Sequence, residues 1–342
     1  PEEADEMFDA LTYGKGSAVV RMIEQFIGEE QFRVGVGQYL RDHAYANTET
    51  ADLWAALDGA SEWPVGEIMD TWILQEGYPL LEVRRTDGGI KLSQRRNLLI
   101  PDGEDQTLWQ VPVQLRYSID GEVHEKKHLL GEPDAVLDLG DVDWVVANAG
   151  GHGFYRVAYA PDLLEALVDI VADLSTLERF TLVDDAAALA VSGDSDLASW
   201  FRLAEAYEGE STQQIWQMLI GHLAQVDDIV PDDLRPAFAD RVSGLLGGVA
   251  ARLGTEPTEG EDELDTLLRG QVLTALGVIA DDEEVVTFAA RNLERVLEDF
   301  TSFDPDVTSA IIQVSGAHAS VATTERFLAA HQTAPTAQLA QQ

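Results

Sequence analysis

The sequence predicts a multidomain α+β chain, helical at both ends with a block of strands between, and three observations carry this. Apolar residues recur at helical spacing from Leu11 to Ile73 and alternate with polar ones from Pro79 to Tyr159. Helical spacing returns from Pro161. The first change of period coincides with Gly77-Tyr78-Pro79, where the proline drives the preceding residue towards an extended conformation. With 342 residues and 45% hydrophobic content, the chain is long enough for two or three real cores. The expected division is residues 1–78, 79–160 and 161–342.

An acidic lead-in, PEEADEMFDA, precedes three short antiparallel helices. The first presents Val19, Met22, Ile23, Phe26 and Ile27 on one face and stops at Gly28. The second presents Phe32, Val36, Tyr39 and Leu40, and the third Leu53, Trp54 and Leu57, with Thr50 and Asp52 as N-cap and first turn. Pro64 fits the first position of a fourth helix with Val65, Ile68, Met69, Trp72 and Ile73 on one face.

The strand block opens with Leu81 and Val83, then Ile90 and Leu92, around a turn at Asp87-Gly88-Gly89. Val111, Val113, Leu115 and Tyr117 alternate up to Asp120-Gly121, a type I′ hairpin signal. Val136–Leu139 and Trp144–Val146 supply two more strands. Short strands separated by turn residues predict a small two-sheet sandwich.

The last part is helical. Leu163, Leu164, Leu167, Ile170 and Val171 form one stripe, and Leu182, Ala186, Leu189 and Ala190 a second that ends at Gly193. Trp200, Leu203, Ala204 and Tyr207, then Ile215, Met218, Leu219 and Leu223, continue the pattern, without a strict sequence repeat. Thr255–Asp265 reads as an acidic loop, and Gln332–Gln342 as a frayed tail.

Composition bounds the function classes. Asp and Glu number 62 against 22 Lys and Arg, for a formal charge of -40, and the only lysines are Lys15, Lys91, Lys126 and Lys127. The acids are spread along every amphipathic segment, which predicts folded surfaces acidic throughout. Such surfaces repel themselves unless salt screens them, the Debye length being about 3 Å at 1 M. The expectation is a cytoplasmic protein of a halophile. No basic patch exists to neutralise phosphates, so nucleic acid is excluded as a partner. Cysteine is absent, which excludes disulfides and thiolate metal sites. No apolar run approaches the roughly 18 residues of a membrane span.

Two motifs invite a chemical reading. In Tyr13-Gly14-Lys15-Gly16 the glycines leave a phenol approachable at a helix start. A neutral phenol, with reference pKa near 10, can donate to a developing oxyanion without carrying charge. A merely packed tyrosine fits the same residues, and local chemistry does not separate the two. Lys15 is expected to pair with a nearby surface acid. The second motif, His124-Glu125-Lys126-Lys127-His128, matches H-E-x-x-H literally. That pattern binds zinc only on a helix, where positions i and i+4 stack. Here it falls in the second strand of the Asp120-Gly121 hairpin, which sets the imidazoles about 13 Å apart at ~3.3 Å per residue. It is therefore not expected to bind metal.

The other histidines, His43, His152, His222, His318 and His331, share no ligand spacing, and His43 is expected to close a helix. Asp184-Asp185 reads as helix-start acid rather than a catalytic pair. Phosphate loops and Gly-x-Ser-x-Gly elbows are absent from the sequence.

From Tyr13 to Leu57, continuing through MDTWILQEGYPLLEV, the sequence resembles the end of the catalytic domain of the M1 (gluzincin) zinc aminopeptidases. Trp144–Asn148 with Gly153-Phe154-Tyr155-Arg156-Val157 resembles the word closing that family's sandwich domain, with Phe154 where Tyr is common. The resemblance implies the helical end of a thermolysin-like catalytic domain (1–78), an Ig-like β-sandwich (79–160) and an α-helical solenoid (161–342), the last expected to be cut or naturally short.

It also implies that Tyr13 is catalytic, hydrogen-bonding the tetrahedral intermediate of peptide hydrolysis. The zinc ligands and general base are expected upstream of residue 1. The family's third ligand, a Glu eighteen intervening residues after an H-E-x-x-H motif, would fall here on Ala147. Because none of the zinc ligands is expected within it, this chain alone is expected to be inactive. Its expected partners are peptides and the remainder of its own catalytic domain. The rival expectation is a non-catalytic relative acting as a protein-interaction scaffold, which would have no need of the Tyr13 hydroxyl.

Overall fold

The computed structural model describes residues 10–100, 105–258 and 260–333. Most of the lead-in and the end of the C-terminal tail lie outside them. The described chain forms two compact units, residues 1–199 and 200–342.

The first unit opens with α1 (Ala10–Ile27), α2 (Glu29–Asp42), α3 (Thr50–Ala60) and α4 (Val65–Ile73). Gly28 separates α1 from α2 at φ 103°, which glycine adopts without steric cost. Val19, Met22, Ile23, Phe26, Trp54, Leu57 and Trp72 are buried as the spacing predicts. Leu40 is a correction: it is 62% exposed, on the solvent side of α2. Two caps also shift by one residue. Glu49, not Thr50, precedes α3, its N–H donating to Asp52 Oδ2 (2.8 Å), and Pro64 precedes α4 rather than opening it.

Among the described residues seven strands follow: β1 (Pro79–Thr86), β2 (Gly89–Arg96), β3 (Val111–Ile119), β4 (Glu122–Leu130), β5 (Asp134–Asp138), β6 (Trp144–Val146) and β7 (Arg156–Tyr159). They make two sheets, ordered β5-β2-β1-β7 and β4-β3-β6. All pairings are antiparallel except β1 with β7, where Leu81 faces Val157. The β3–β4 hairpin turns at Asp120 (φ 51°) and Gly121 (φ 79°), the pair of positive φ values a type I′ turn requires. Asp143 secures it by accepting from Ser118 Oγ (2.7 Å) and the Gly121 N–H (2.9 Å). The apolar faces of both sheets share one core with α1, α3 and α4, with Trp72 and Trp109 fully buried in it. The unit continues through α5 (Pro161–Asp169) and α6 (Thr176–Ser192), which ends on Gly193 at φ 78°.

The strand β4 carries the H-E-x-x-H match. His124 and His128 pair with Tyr117 and Val113 of β3, so they lie along one face of an extended strand. His124 stacks on Tyr117 with ring centroids 5.5 Å apart. The helical geometry the zinc motif needs is not available to these residues.

After α7 (Leu197–Glu205), the second unit holds α8 (Gln213–Asp227), α9 (Arg235–Leu253), α10 (Glu263–Val278), α11 (Glu283–Glu298), α12 (Pro305–Ala317) and α13 (Val321–Thr333). α10 packs on α8, α9 and α12, and α11 packs chiefly on α12. The acidic loop is shorter than predicted, since its last residues belong to α10. Two of its acids have partners: Asp262 caps α10 by accepting from the Leu264 N–H (2.9 Å), and Glu261 pairs with Arg269, which is fully buried.

Two glycines let α10 and α12 approach closely. A Cβ on Gly277 would stand 2.5 Å from Val314 Cγ2, and one on Gly270 2.7 Å from the Asp306 carbonyl oxygen. Gly277→Ala is therefore expected to destabilise the chain by about 1–3 kcal/mol, measured as a lower denaturant midpoint.

Candidate active-site edge

Tyr13 lies in the first turn of α1 and is 60% exposed. The helix beneath it is fixed. Val19, Met22, Ile23 and Phe26 are 1% exposed or less, and the Phe154 N–H points at Met22 Sδ (3.3 Å). Among the described residues, nothing beyond the helix's own backbone and the adjacent residues lies within 4 Å of where a Cβ on Gly14 or Gly16 would stand. Glycine inside a helix is less favourable than alanine by roughly 0.5–1 kcal/mol. Gly16→Ala is thus expected to raise the denaturant midpoint, which would show that the helix itself has no use for that glycine.

Lys15 departs from expectation. Its ammonium donates to the carbonyls of Gln75 (3.2 Å) and Gly77 (3.5 Å), just beyond the C-terminus of α4, instead of pairing with an acid. Partial burial lowers its pKa. Lys127 does the same for α1, donating to Gln25 (3.2 Å) and Phe26 (2.7 Å) carbonyls. A cation there meets the negative end of the helix dipole. Two of the four lysines thus fasten helix ends, and the first ties the residues around Tyr13 to the start of the sheets.

The word around Phe154 completes the support. Phe154 packs against Trp72 (6.3 Å between centroids) and Tyr78 (5.6 Å), and Trp72 Nε1 donates to the Gln110 carbonyl (3.0 Å). Tyr155 donates to the Ala147 carbonyl (3.0 Å), while the Ala147 N–H donates to the Tyr159 hydroxyl (2.8 Å). Burial raises the pKa of both phenols, so they stay neutral. Asn148 closes the turn by accepting from the Gly153 N–H (2.8 Å).

Asp184 and Asp185 are a second correction. They sit in the middle of α6, not at its start, where Arg156 donates to Asp184 (2.7 Å) and Asp185 (3.0 Å). Asp185 also accepts the Val157 N–H (2.9 Å), and burial pushes its carboxyl up against the pull of Arg156. The start of α6 is Ser175 with Glu178, a reciprocal capping box. Glu178 additionally takes both arms of the Arg116 guanidinium (3.1 and 2.6 Å) and the Gly150 N–H (3.1 Å). Sequence reasoning missed this hub. The Ser-x-x-Glu spacing signals the cap, but Arg116 is 62 residues away along the chain.

The remaining histidines are dispersed. His43 is the C-cap of α2, as expected. His152 lies in the turn before β7, its pKa lowered by burial and by Arg21. His222 stands edge-on to Trp200, His318 Nε2 lies 2.7 Å from the Gly277 carbonyl, and His331 is on α13. Among the described residues, no group of three His, Asp or Glu side chains has metal-binding geometry, and no helix is long and apolar enough to cross a membrane.

Comparison with known proteins places these features. The Peptidase family M1 domain matches residues 1–72, and the ERAP1-like C-terminal domain matches residues 144–342. Aminopeptidase M1 of Arabidopsis thaliana is 34% identical over 333 residues, covering 90% of this chain and 37% of the relative. The Tricorn protease-interacting factor F2 of Thermoplasma acidophilum is 30% identical over 311 residues, 91% of this chain and 37% of its own length. Aminopeptidase A of Gloydius brevicauda is 32% identical over 292 residues, 80% and 30% respectively. The chain thus spans little more than a third of the relatives it matches. The M1 aminopeptidases are generally zinc-dependent. By both domain matches, this chain belongs to the M1 peptidase family, of which it carries the C-terminal region.

Proposed function

We propose that the protein of which this chain is part is a zinc-dependent aminopeptidase that releases N-terminal residues from peptides. The observation that carries the reading is Tyr13, an exposed phenol on a buried, tightly fastened helix, flanked by glycines that leave its surroundings open. A scaffold would have no need of that hydroxyl. As a neutral donor, the phenol would bind the oxygen of the scissile carbonyl as negative charge develops there. Fixing it beforehand avoids reorganisation in the transition state.

Residues 1–78 would complete a thermolysin-like catalytic domain, 79–160 an Ig-like sandwich bracing it, and 161–342 a helical solenoid. Among the described residues no histidine set fits zinc; the metal would be held by residues upstream of Tyr13, where it would activate the attacking water. Peptides and the rest of the catalytic domain are the proposed partners. The charge of -40 suits a halophile's cytoplasm. The test is hydrolysis of fluorogenic amino-acid amides by the full-length protein in high salt. Turnover that stops with a chelator and returns with zinc supports the proposal, and an inactive full-length protein without bound metal would replace it with the scaffold.

A further inference from the structure

Residues of α8, α10 and α12 line a groove of about 360 Å³ whose lining is unlike the rest of the surface. Charged residues make up 25% of the chain, yet the groove carries a single one, Asp306. Ile220, Leu267 and Val278 contribute apolar surface, and the amides of Gln217, Gln271 and Gln313 lie among them.

These amides are oriented. The buried Gln213 donates its Nε2 to the Gln271 oxygen (3.2 Å) and the Gln217 oxygen (3.4 Å), which leaves both of their NH₂ groups as donors. Gln313 donates its own NH₂ to Ser309 Oγ (2.9 Å), leaving its oxygen as acceptor. Donors on the α8 and α10 side and an acceptor on the α12 side suit a main chain, which offers both kinds of group.

Asp306 is partly buried, and no arginine, lysine or histidine forms an ion pair with it among the described residues. The charged group beside it is Asp304, which caps α12 by accepting the Asp306 N–H (2.9 Å) and adds repulsion. Burial and that neighbour both push the Asp306 carboxyl up, which marks it as short of a counterion. The close approach of α10 at Gly270 fixes the backbone that carries it.

We infer that this groove binds an extended peptide segment through its main chain and receives an arginine or lysine side chain on Asp306. Charge complementarity selects this occupant: an uncharged groove with one unpaired acid fits a basic side chain on an otherwise neutral segment. A second copy of the chain, itself at -40, would bring like charge to the surrounding surface. That the segment belongs to a substrate rests on the aminopeptidase reading; the binding itself does not.

The experiment titrates the chain in about 1 M salt, where surface attraction is screened to roughly 3 Å. The probes are an N-terminally blocked fluorescent decapeptide of Ala, Gly and Ser with one central Arg, and its twin with Gln in that place. The Arg peptide should bind about tenfold more tightly, the effect of one partly desolvated charge pair. Asp306→Asn should abolish that difference while leaving the weaker binding of the Gln peptide, and Gln271→Ala should weaken both peptides.

Because Asp306→Asn removes one acid of 62, general attraction to the surface is almost unchanged and the loss reports the groove. Equal affinity of the two peptides for the unaltered chain, or an Arg preference that survives Asp306→Asn, would overturn the inference. So would self-association that depends on Asp306 with no peptide binding, which would assign the groove to a second copy. No catalysis enters the readout, so an inactive enzyme and an empty groove are separate results.

Discussion

Replacing Tyr13 by Phe in the full-length protein is expected to lower kcat by about 10²–10³, the usual loss when one oxyanion donor is removed. The substitution deletes a single oxygen from a side chain that is 60% exposed, so the denaturant midpoint should stay within about 0.5 kcal/mol of the parent. KM should change little, because the phenol acts on charge that develops only in the transition state. Metal content should be the same in both proteins. A fall in kcat with KM and zinc unchanged would assign Tyr13 its catalytic role. Unchanged turnover would remove the hydroxyl from the mechanism and leave Tyr13 as a surface residue.

The largest stability effect is expected at Glu178, only 3% exposed, where four separate donors converge: the Arg116 fork, the Ser175 N–H and the Gly150 N–H. Glu178→Ala leaves Arg116 without its partner and removes the half of the capping box that accepts the Ser175 N–H, and should cost about 3–5 kcal/mol. Glu178→Gln keeps the shape and one acceptor and should cost about 1–3 kcal/mol.

The two states titrate differently, which gives a pH test. Burial works against the ionised carboxylate, but Arg116 and the two backbone N–H groups outweigh it and hold the pKa below its ordinary value. In the unfolded chain the group titrates near 4.3. Its stabilisation is therefore fully present above that pH and is lost as pH falls through the lower folded value. The stability gap between the parent and Glu178→Gln should be constant near neutrality and close below about pH 4. A gap that persists at acid pH would show that the carboxylate's charge is not what holds the hub.

Local information made much of the fold readable. The hairpin at Asp120-Gly121, the helix stop at Gly193 and the break at Gly77-Tyr78-Pro79 each depend on residues whose backbone preferences act within a few positions. The four helices before residue 74 followed from the spacing of side chains such as Met22, Phe26 and Trp72. Where that reading slipped, the cause was a partner distant in sequence. Asp184 and Asp185 look like helix-start acids until Arg156 is brought against the middle of α6. Lys15 looks like a surface cation until the end of α4 presents it with two carbonyls. Leu40 matches the apolar period, yet it is 62% exposed among the described residues.

The sequence by itself determined the order of helix, strand and helix, the acidic surface, the strand placement of His124 and His128, and the likeness to the M1 family through the Tyr13 word. Each of these is set by composition or by residues adjacent along the chain. Only the tertiary structure decided that β7 runs parallel to β1, that Glu178 joins β3 to α6, that Tyr13 stands exposed on an anchored helix, and that Asp306 lies unpaired in a groove of amides. Those outcomes depend on which surfaces meet across scores of residues. The free energy of such contacts comes from burial and from matching charge in three dimensions, and neither is encoded at short range.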